Sequence, residues 1–149
     1  VIIIFLLDRL SKIYILNLID ADKFTDIYIN QYLNLTLIWN TGIGFGLFSL
    51  ESNFYYNSMT AIIVLINIII VIMIIKYKNY KSYLLLMVLG GSLGNLFDRL
   101  YYSAVPDFID LHYNNFHWFI FNVADIFISL GILCLIFVEL FLNNKRISN

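Results

Sequence analysis

Asn122 and Asp125, in the stretch FNVAD (121–125), stand at the mouth of a long apolar run. Just upstream, VPDFID (105–110) supplies Asp107 and Asp110. Further back, GGSLGNLFDRL (90–100) carries Asn95, with Asp98 and Arg99 three and four positions on. Carboxyls that share a site can hydrolyse a bond. An ionised one takes a proton from water, and a protonated one donates to the oxygen of the bond under attack. Two of them at the edge of a bilayer cannot easily both ionise, so one pKa should rise and the pair should titrate as a unit. Asn122, one helical turn before Asp125, can hold such a pair or a substrate backbone by hydrogen bonds.

Composition places this chemistry in a membrane. The 149 residues are 61% hydrophobic and 13% charged, with one proline, and the mean hydropathy is +0.84. A soluble domain averages about 45–50% apolar and about 25% charged. The net charge of −1 provides no basic surface for nucleic acid. The single cysteine, Cys134, cannot form an internal disulfide, and no CxxC or Cys/His zinc spacing is present. It is expected to be a buried, inert thiol in the last apolar run.

Four apolar segments must position the polar residues, at about 1–19, 57–75, 82–102 and 122–142. A core of about 30 Å needs roughly 20 helical residues. The chain opens VIIIFLLDRLSK, without Met, a basic leader or a small-residue cleavage site, and is expected to begin inside its first membrane helix. No repeats or low-complexity linkers interrupt it, so residues 1–149 read as one domain. The fold class expected is an all-α membrane protein of four transmembrane helices with a small extracytoplasmic β element.

Lysine and arginine set the orientation. Lys76, Lys78 and Lys81 lie in the link between the second and third segments, and Lys145 and Arg146 in the tail. The stretch 20–56 holds only Lys23, and 103–121 holds neither residue type. By the positive-inside rule both termini are cytoplasmic, and 20–56 and 103–121 are outer loops. Within them LNLTLIW (33–39) and FHWFIF (116–121) read as short strands, and the three glycines of NTGIGFG (40–46) as a turn. His112 and His117 flank aromatic loop residues at the interface.

Ionisable groups at bilayer depth cost about 2.5–3.5 kcal/mol each on insertion scales, so those present need a reason. Gly91, Asn95 and Arg99 recur every four residues on one face of the third segment, with Asp98 beside them. Asn122, Asp125 and Ser129 make a similar stripe on the fourth. Asp107, Asp110 and Asp125 thus converge with two amides at one depth, near the outer rim. Asp8 and Lys12, at i and i+4, form a favourable helix pair. Asp98 reads as a structural charge in an interfacial ion pair, Arg99 as a group that positions substrate or a lipid headgroup, and Asn67 as glue between helices.

DRLSK (8–12), NTGIGFG (40–46), GGSLGNLFDRL (90–100), VPDFID (105–110) and FNVAD (121–125) together resemble the lipoprotein signal peptidases, the type II signal peptidases of bacteria. The blocks follow that family's order over nearly the whole chain. The chain departs in its shorter apolar run before Asp8 and in Ile43-Gly44, where the family has small residues. The resemblance implies an aspartic dyad of Asp107 and Asp125. Supporting or substrate-binding roles fall to Asn40, Gly42, Gly91, Asn95, Asp98, Arg99 and Asn122, and a structural polar pair is formed by Asp8 and Lys12. It implies removal of the signal peptide from diacylglyceryl-modified prolipoproteins, just before the lipidated cysteine. It also implies a multi-pass enzyme of the cytoplasmic (inner) membrane, active at its outer face as a monomer among membrane lipids. No metal or organic cofactor is expected.

Three rivals compare poorly on sequence. A small transporter would set its acidic groups near the midplane. A metallopeptidase drawing on Asp107, Asp110, His112, His117 and Asp125 would lack HExxH and any recognised zinc spacing. A Ser–Lys peptidase fails because Ser11 and Lys12 are adjacent and point apart on a helix.

Overall fold

The structure, a computed structural model, describes residues 1–22, 26–42, 53–77, 79–114 and 116–143. Lys23, Gly44, Gly46, Lys78, Lys145 and Arg146, on which part of the orientation and turn readings rests, lie outside the described residues. The elements run α1 (Ile2–Asp22), β1 (Asp26–Asn30), β2 (Leu33–Asn40), α2 (Asn53–Lys76), α3 (Lys81–Tyr102), β3 (Val105–Tyr113), β4 (Phe116–Phe121) and α4 (Val123–Phe137). A π-helical segment, Val138–Asn143, continues α4.

Phe54–Lys76 and Val123–Phe141 are each long and apolar enough to cross a hydrocarbon layer. The other two long helices carry charge, and their burial is inverted relative to a helix in water. On α1, Asp8, Arg9 and Lys12 are buried, while Ile2 and Ile3 are about three-quarters exposed (74% and 75%). On α3, Asp98 and Arg99 are buried, whereas Leu100 is 69% exposed. Water would reverse both arrangements, because apolar surface is what it expels. A solvent of hydrocarbon tails favours this one, since it drives charge inward to partners.

The same inversion corrects the expectation for Cys134, which is exposed rather than buried. In α4 it lies between Leu133 and Leu135, and Leu133 is exposed too. An apolar surround sets no penalty on a small, weakly polar thiol facing outward.

The helices α2, α3 and α4 pack through Ile70, Leu85, Val88 and Leu89, with Met73, Ile128 and Leu135 around them. At the far end of α1, Ile15 and Ile19 meet Phe108, with Leu35, Leu37 and Ile109 packed alongside. That second cluster seats a four-stranded antiparallel sheet, in order β1-β2-β3-β4, on the bundle.

Two corrections follow for the stretches read as outer loops. Residues 33–40 and 116–121 are strands, but so are Asp26–Asn30 and the whole of Val105–Tyr113. VPDFID is therefore a sheet interior strand, between β2 and β4, and not a connecting loop. His112 and His117 face each other across the β3–β4 hairpin rather than lying in a loop. Register pairs Asn40 with Val105 and Ile38 with Asp107. The end of β2 is thereby fixed beside the first carboxylate of interest.

Candidate active site

Asn122 is the joint of the site. It is the N-cap residue of α4, in extended conformation (φ −125°, ψ 178°). Its side-chain oxygen accepts from the Asp125 backbone N–H at 3.2 Å. Its own backbone N–H donates to Asp125 Oδ2 at 3.2 Å, which completes a reciprocal capping box. The remaining group, Nδ2, donates to Asp107 Oδ1 at 2.5 Å. One asparagine therefore starts the helix, orients Asp125 and ties Asp107 to it.

Each carboxylate has a second amide partner. Asn40 Nδ2, from the end of β2, donates to Asp107 Oδ2 at 2.9 Å. Asn95 Nδ2, from α3, donates to Asp125 Oδ1 at 2.8 Å. Both carboxylates are buried, Asp107 at 2% and Asp125 at 6% exposure. Burial pushes the Asp107 carboxyl up to about 7, the neighbouring charge of Asp125 adds to the rise, and the Asn40 and Asn122 amides oppose it. A carboxyl poised near neutrality beside a second one can exchange protons with bound water.

Behind this pair lies a buried ionic cluster. Lys12 Nζ donates to Asp8 at 2.9 Å, to Asp98 Oδ2 at 2.6 Å and to Asn95 Oδ1 at 2.8 Å. Arg9 contacts the other side, with its Nη2 2.5 Å from Asp98 Oδ1 and its guanidinium 4.8 Å above the Phe97 ring. Asp8 also accepts the Ala124 backbone N–H at 3.1 Å. Two lysine and arginine cations thus meet two aspartates, and Asn95 relays the position of Lys12 to Asp125. Asp8 and Lys12 are not an isolated pair, and Asp98 pairs with Arg9 and Lys12 rather than with Arg99. Adjacent helical residues point about 100° apart, so Asp98 and Arg99 reach different neighbours.

Arg99 turns toward β2. Its Nη2 donates to the Gly42 carbonyl, and the Gly42 N–H donates to Asn40 Oδ1 at 2.8 Å. Tyr56 of α2 donates its hydroxyl to the Arg99 carbonyl at 2.8 Å. A continuous path therefore runs from Arg99 through Gly42 and Asn40 to Asp107. Arg99→Ala should lower kcat/KM about 10–100-fold, the worth of one charge-assisted bond used for positioning. Chemistry should persist, and single-turnover cleavage in a folded variant checks it.

Two glycines let the helices approach closely enough for these contacts. A Cβ on Gly91 would lie 2.5 Å from the Ala124 carbonyl and 2.9 Å from Ile128. A Cβ on Gly94 would lie 2.5 Å from Asp8 Oδ2. The obstacle at Gly91 is backbone, which cannot rotate away. Gly91→Ala should cost about 1–3 kcal/mol of stability, read by thermal unfolding in detergent, and should displace Asp125 with its neighbour Ala124.

The predicted residues Asp107, Asp125, Asn40, Asn95 and Asn122 are thus in direct contact, and Asp8, Lys12, Asp98 and Gly91 back them. Arg99 and Gly42 join through Asn40. Asp110 is separate: its Oδ2 lies 2.9 Å from His117 Nδ1. Arg9 and Tyr56 did not stand out in the sequence as site residues. A second buried charge beside Asp8 was the available signal for Arg9, and nothing in the sequence marks Tyr56.

The fold is that of known bacterial membrane enzymes. Two solved structures of such enzymes, obtained by the in meso method at 2.3 Å and 1.9 Å resolution, align with TM-scores of 0.71 and 0.70. They cover 97% and 94% of this chain, and the match spans 87% and 89% of theirs, at 24% and 23% identity. Residues 1–141 match the family model of signal peptidase (SPase) II. The chain belongs to the signal peptidase II family, and is thereby a peptidase of the membrane. The lipoprotein signal peptidase of Pelagibacter ubique (strain HTCC1062) is 53% identical over 98% of this chain and 88% of its own length. That of Anaplasma phagocytophilum (strain HZ) is 42% identical over 93% and 87%.

Proposed function

We propose that residues 1–149 form a single intramembrane aspartic endopeptidase domain with Asp107 and Asp125 as its catalytic dyad. It removes signal peptides from diacylglyceryl-modified bacterial prolipoproteins and cuts just before the lipidated cysteine. The observation that carries this reading is Asn122, which binds both carboxylates at once. A water molecule held between them would lose a proton to the ionised member. The protonated member would donate to the scissile carbonyl oxygen, and the leaving amine would take a proton as the tetrahedral intermediate collapses. The pair shares one proton and titrates as a unit. Asn40 and Asn95, each bonded to one carboxylate, keep the two from rotating apart.

All four long helices cross the bilayer in this reading. The 21 residues of α1 and 22 of α3 reach about 32 Å at roughly 1.5 Å each. Their outward apolar residues and inward charges support it. Both termini are cytoplasmic, and the sheet lies on the outer surface of the cytoplasmic membrane, over the dyad. The substrate's acyl chains stay in lipid while its backbone reaches the rim, and the enzyme acts as a monomer.

The test is cleavage by the purified protein of a precursor with and without its diacylglyceryl group. The lipidated form should be cut and the unlipidated one spared. Equal cleavage of both would remove lipid recognition from the reading.

A further inference from the structure

Asp110, His112 and His117 form a second cluster of coordinating groups, distinct in its members from the dyad. One ligand atom from each lies within 4.8 Å of the others. Asp110 and His112 come from β3 and His117 from β4, and register sets His112 directly opposite His117. Residues two apart on a strand point to the same face, so Asp110 and His112 share one side of β3 with His117 opposite. The imidazoles stack with centroids 5.2 Å apart. Asp110 is only 3% exposed, and its Oδ1 has no hydrogen-bond partner among the described residues. His112 Nδ1 is likewise buried and unpartnered among them.

A buried carboxylate oxygen and a buried ring nitrogen left without donors are costly unless something fills the space between them. Nothing in the hydrolytic reading uses them. We propose that Asp110, His112 and His117 bind one divalent transition-metal ion of the zinc or copper class. Two imidazoles and one carboxylate suit a borderline cation with an open fourth position for water. Tetrahedral bonds of about 2.0 Å put ligand atoms about 3.3 Å apart, so modest side-chain rotation closes the set. His117 Nδ1 already stands 2.9 Å from Asp110 Oδ2. An ion entering there takes the place of the hydrogen between them, and the imidazole binds it through Nδ1 as the Nε2–H tautomer. The ion would clamp the β3–β4 hairpin close to its turn, on the strand that carries Asp107. It would not touch the dyad.

The chain contains only two histidines, which makes the test sharp in a tag-free preparation. Zn(II) titrated into the full-length protein in detergent should bind at one equivalent per chain, followed calorimetrically. Cu(II) in its place should give an electron paramagnetic resonance spectrum with two coordinated imidazole nitrogens. His112→Gln and His117→Ala should each weaken binding by more than the about 10–100-fold lost with an outer-shell partner. His117 has a side chain 55% exposed, so its variant leaves the core packing intact and carries the test should the half-buried His112 variant fail to fold. Absence of saturable binding, a copper spectrum without histidine nitrogen, or wild-type affinity in folded His117→Ala would each overturn the site. Because the readout is metal binding, loss of peptidase activity has no bearing on the outcome.

Discussion

Asp107→Asn and Asp125→Asn should each reduce cleavage of a lipidated precursor by about 10³-fold or more, while the folded protein still binds it. An amide keeps the shape of the side chain but neither accepts the water proton nor serves as an acid. The double variant should be little worse than either single one, because the pair works as one unit. Gel-resolved single-turnover cleavage measures this, with thermal unfolding checked for each protein. Substantial activity in either single variant, beside a stable but inactive Asp98→Asn, would mean that the wrong pair has been chosen.

A pH signature accompanies the Asp107 change. The carboxyl's ordinary value is 3.8 and burial raises it to about 7. The unfolded chain therefore releases this proton at lower pH than the folded one. Its contribution to stability is fully present below about 3.8 and is lost as pH rises toward about 7. In Asp107→Asn that slope should vanish. Activity should also fall as pH climbs through about 7, where the shared proton leaves the pair. A cleavage profile still rising at pH 8 would contradict this assignment.

The second large effect is expected at Lys12. Lys12→Met keeps much of the aliphatic stem but leaves two buried aspartates facing Arg9 alone. Breaking one side of a buried ionic cluster costs about 3–5 kcal/mol, so folded yield and unfolding temperature should both drop sharply. Activity should fall as well, because Asn95 loses the donor that fixes which of its ends faces Asp125. Adding Asp98→Asn should recover part of the stability by removing one orphaned charge. A double-mutant cycle measures that coupling, and purely additive losses would dismiss the cluster as a unit.

The sequence made α2 plain because no ionisable residue interrupts its apolar run before Lys76. It made α1 and α3 legible through charges that only a buried role justifies. The strands were harder. β2 and β4 show strand-forming residues at their surfaces, but β3 is buried along most of its first six residues, so its alternation disappears. Its aspartates then resemble loop polarity, although they are the polar core of the site. β1 is short and largely exposed, with little pattern to read. Within the site, the residue types and their common depth could be read, but the pairing could not. Asp98 beside Arg99 suggested a pair by adjacency, whereas the helix directs Asp98 to α1 and Arg99 to Gly42, just past the end of β2. Cys134 faces outward because an apolar run implies burial only where the surroundings are water.

The inward charges of α1 impose an order of events on biosynthesis. Lys12 finds Asp98 only 86 residues later in the chain, and at about 5–20 residues per second that is roughly 4–17 s of translation. If α1 spans the bilayer as proposed, then for that interval a helix carrying Asp8, Arg9 and Lys12 lacks the partners that α3 supplies. Each such charge costs about 2.5–3.5 kcal/mol at the centre of an isolated span. On the proposed four-span arrangement, α1 must therefore wait at the headgroup boundary or inside the insertion machinery until α3 emerges. Its final seating in lipid is a late, post-insertional act of assembly.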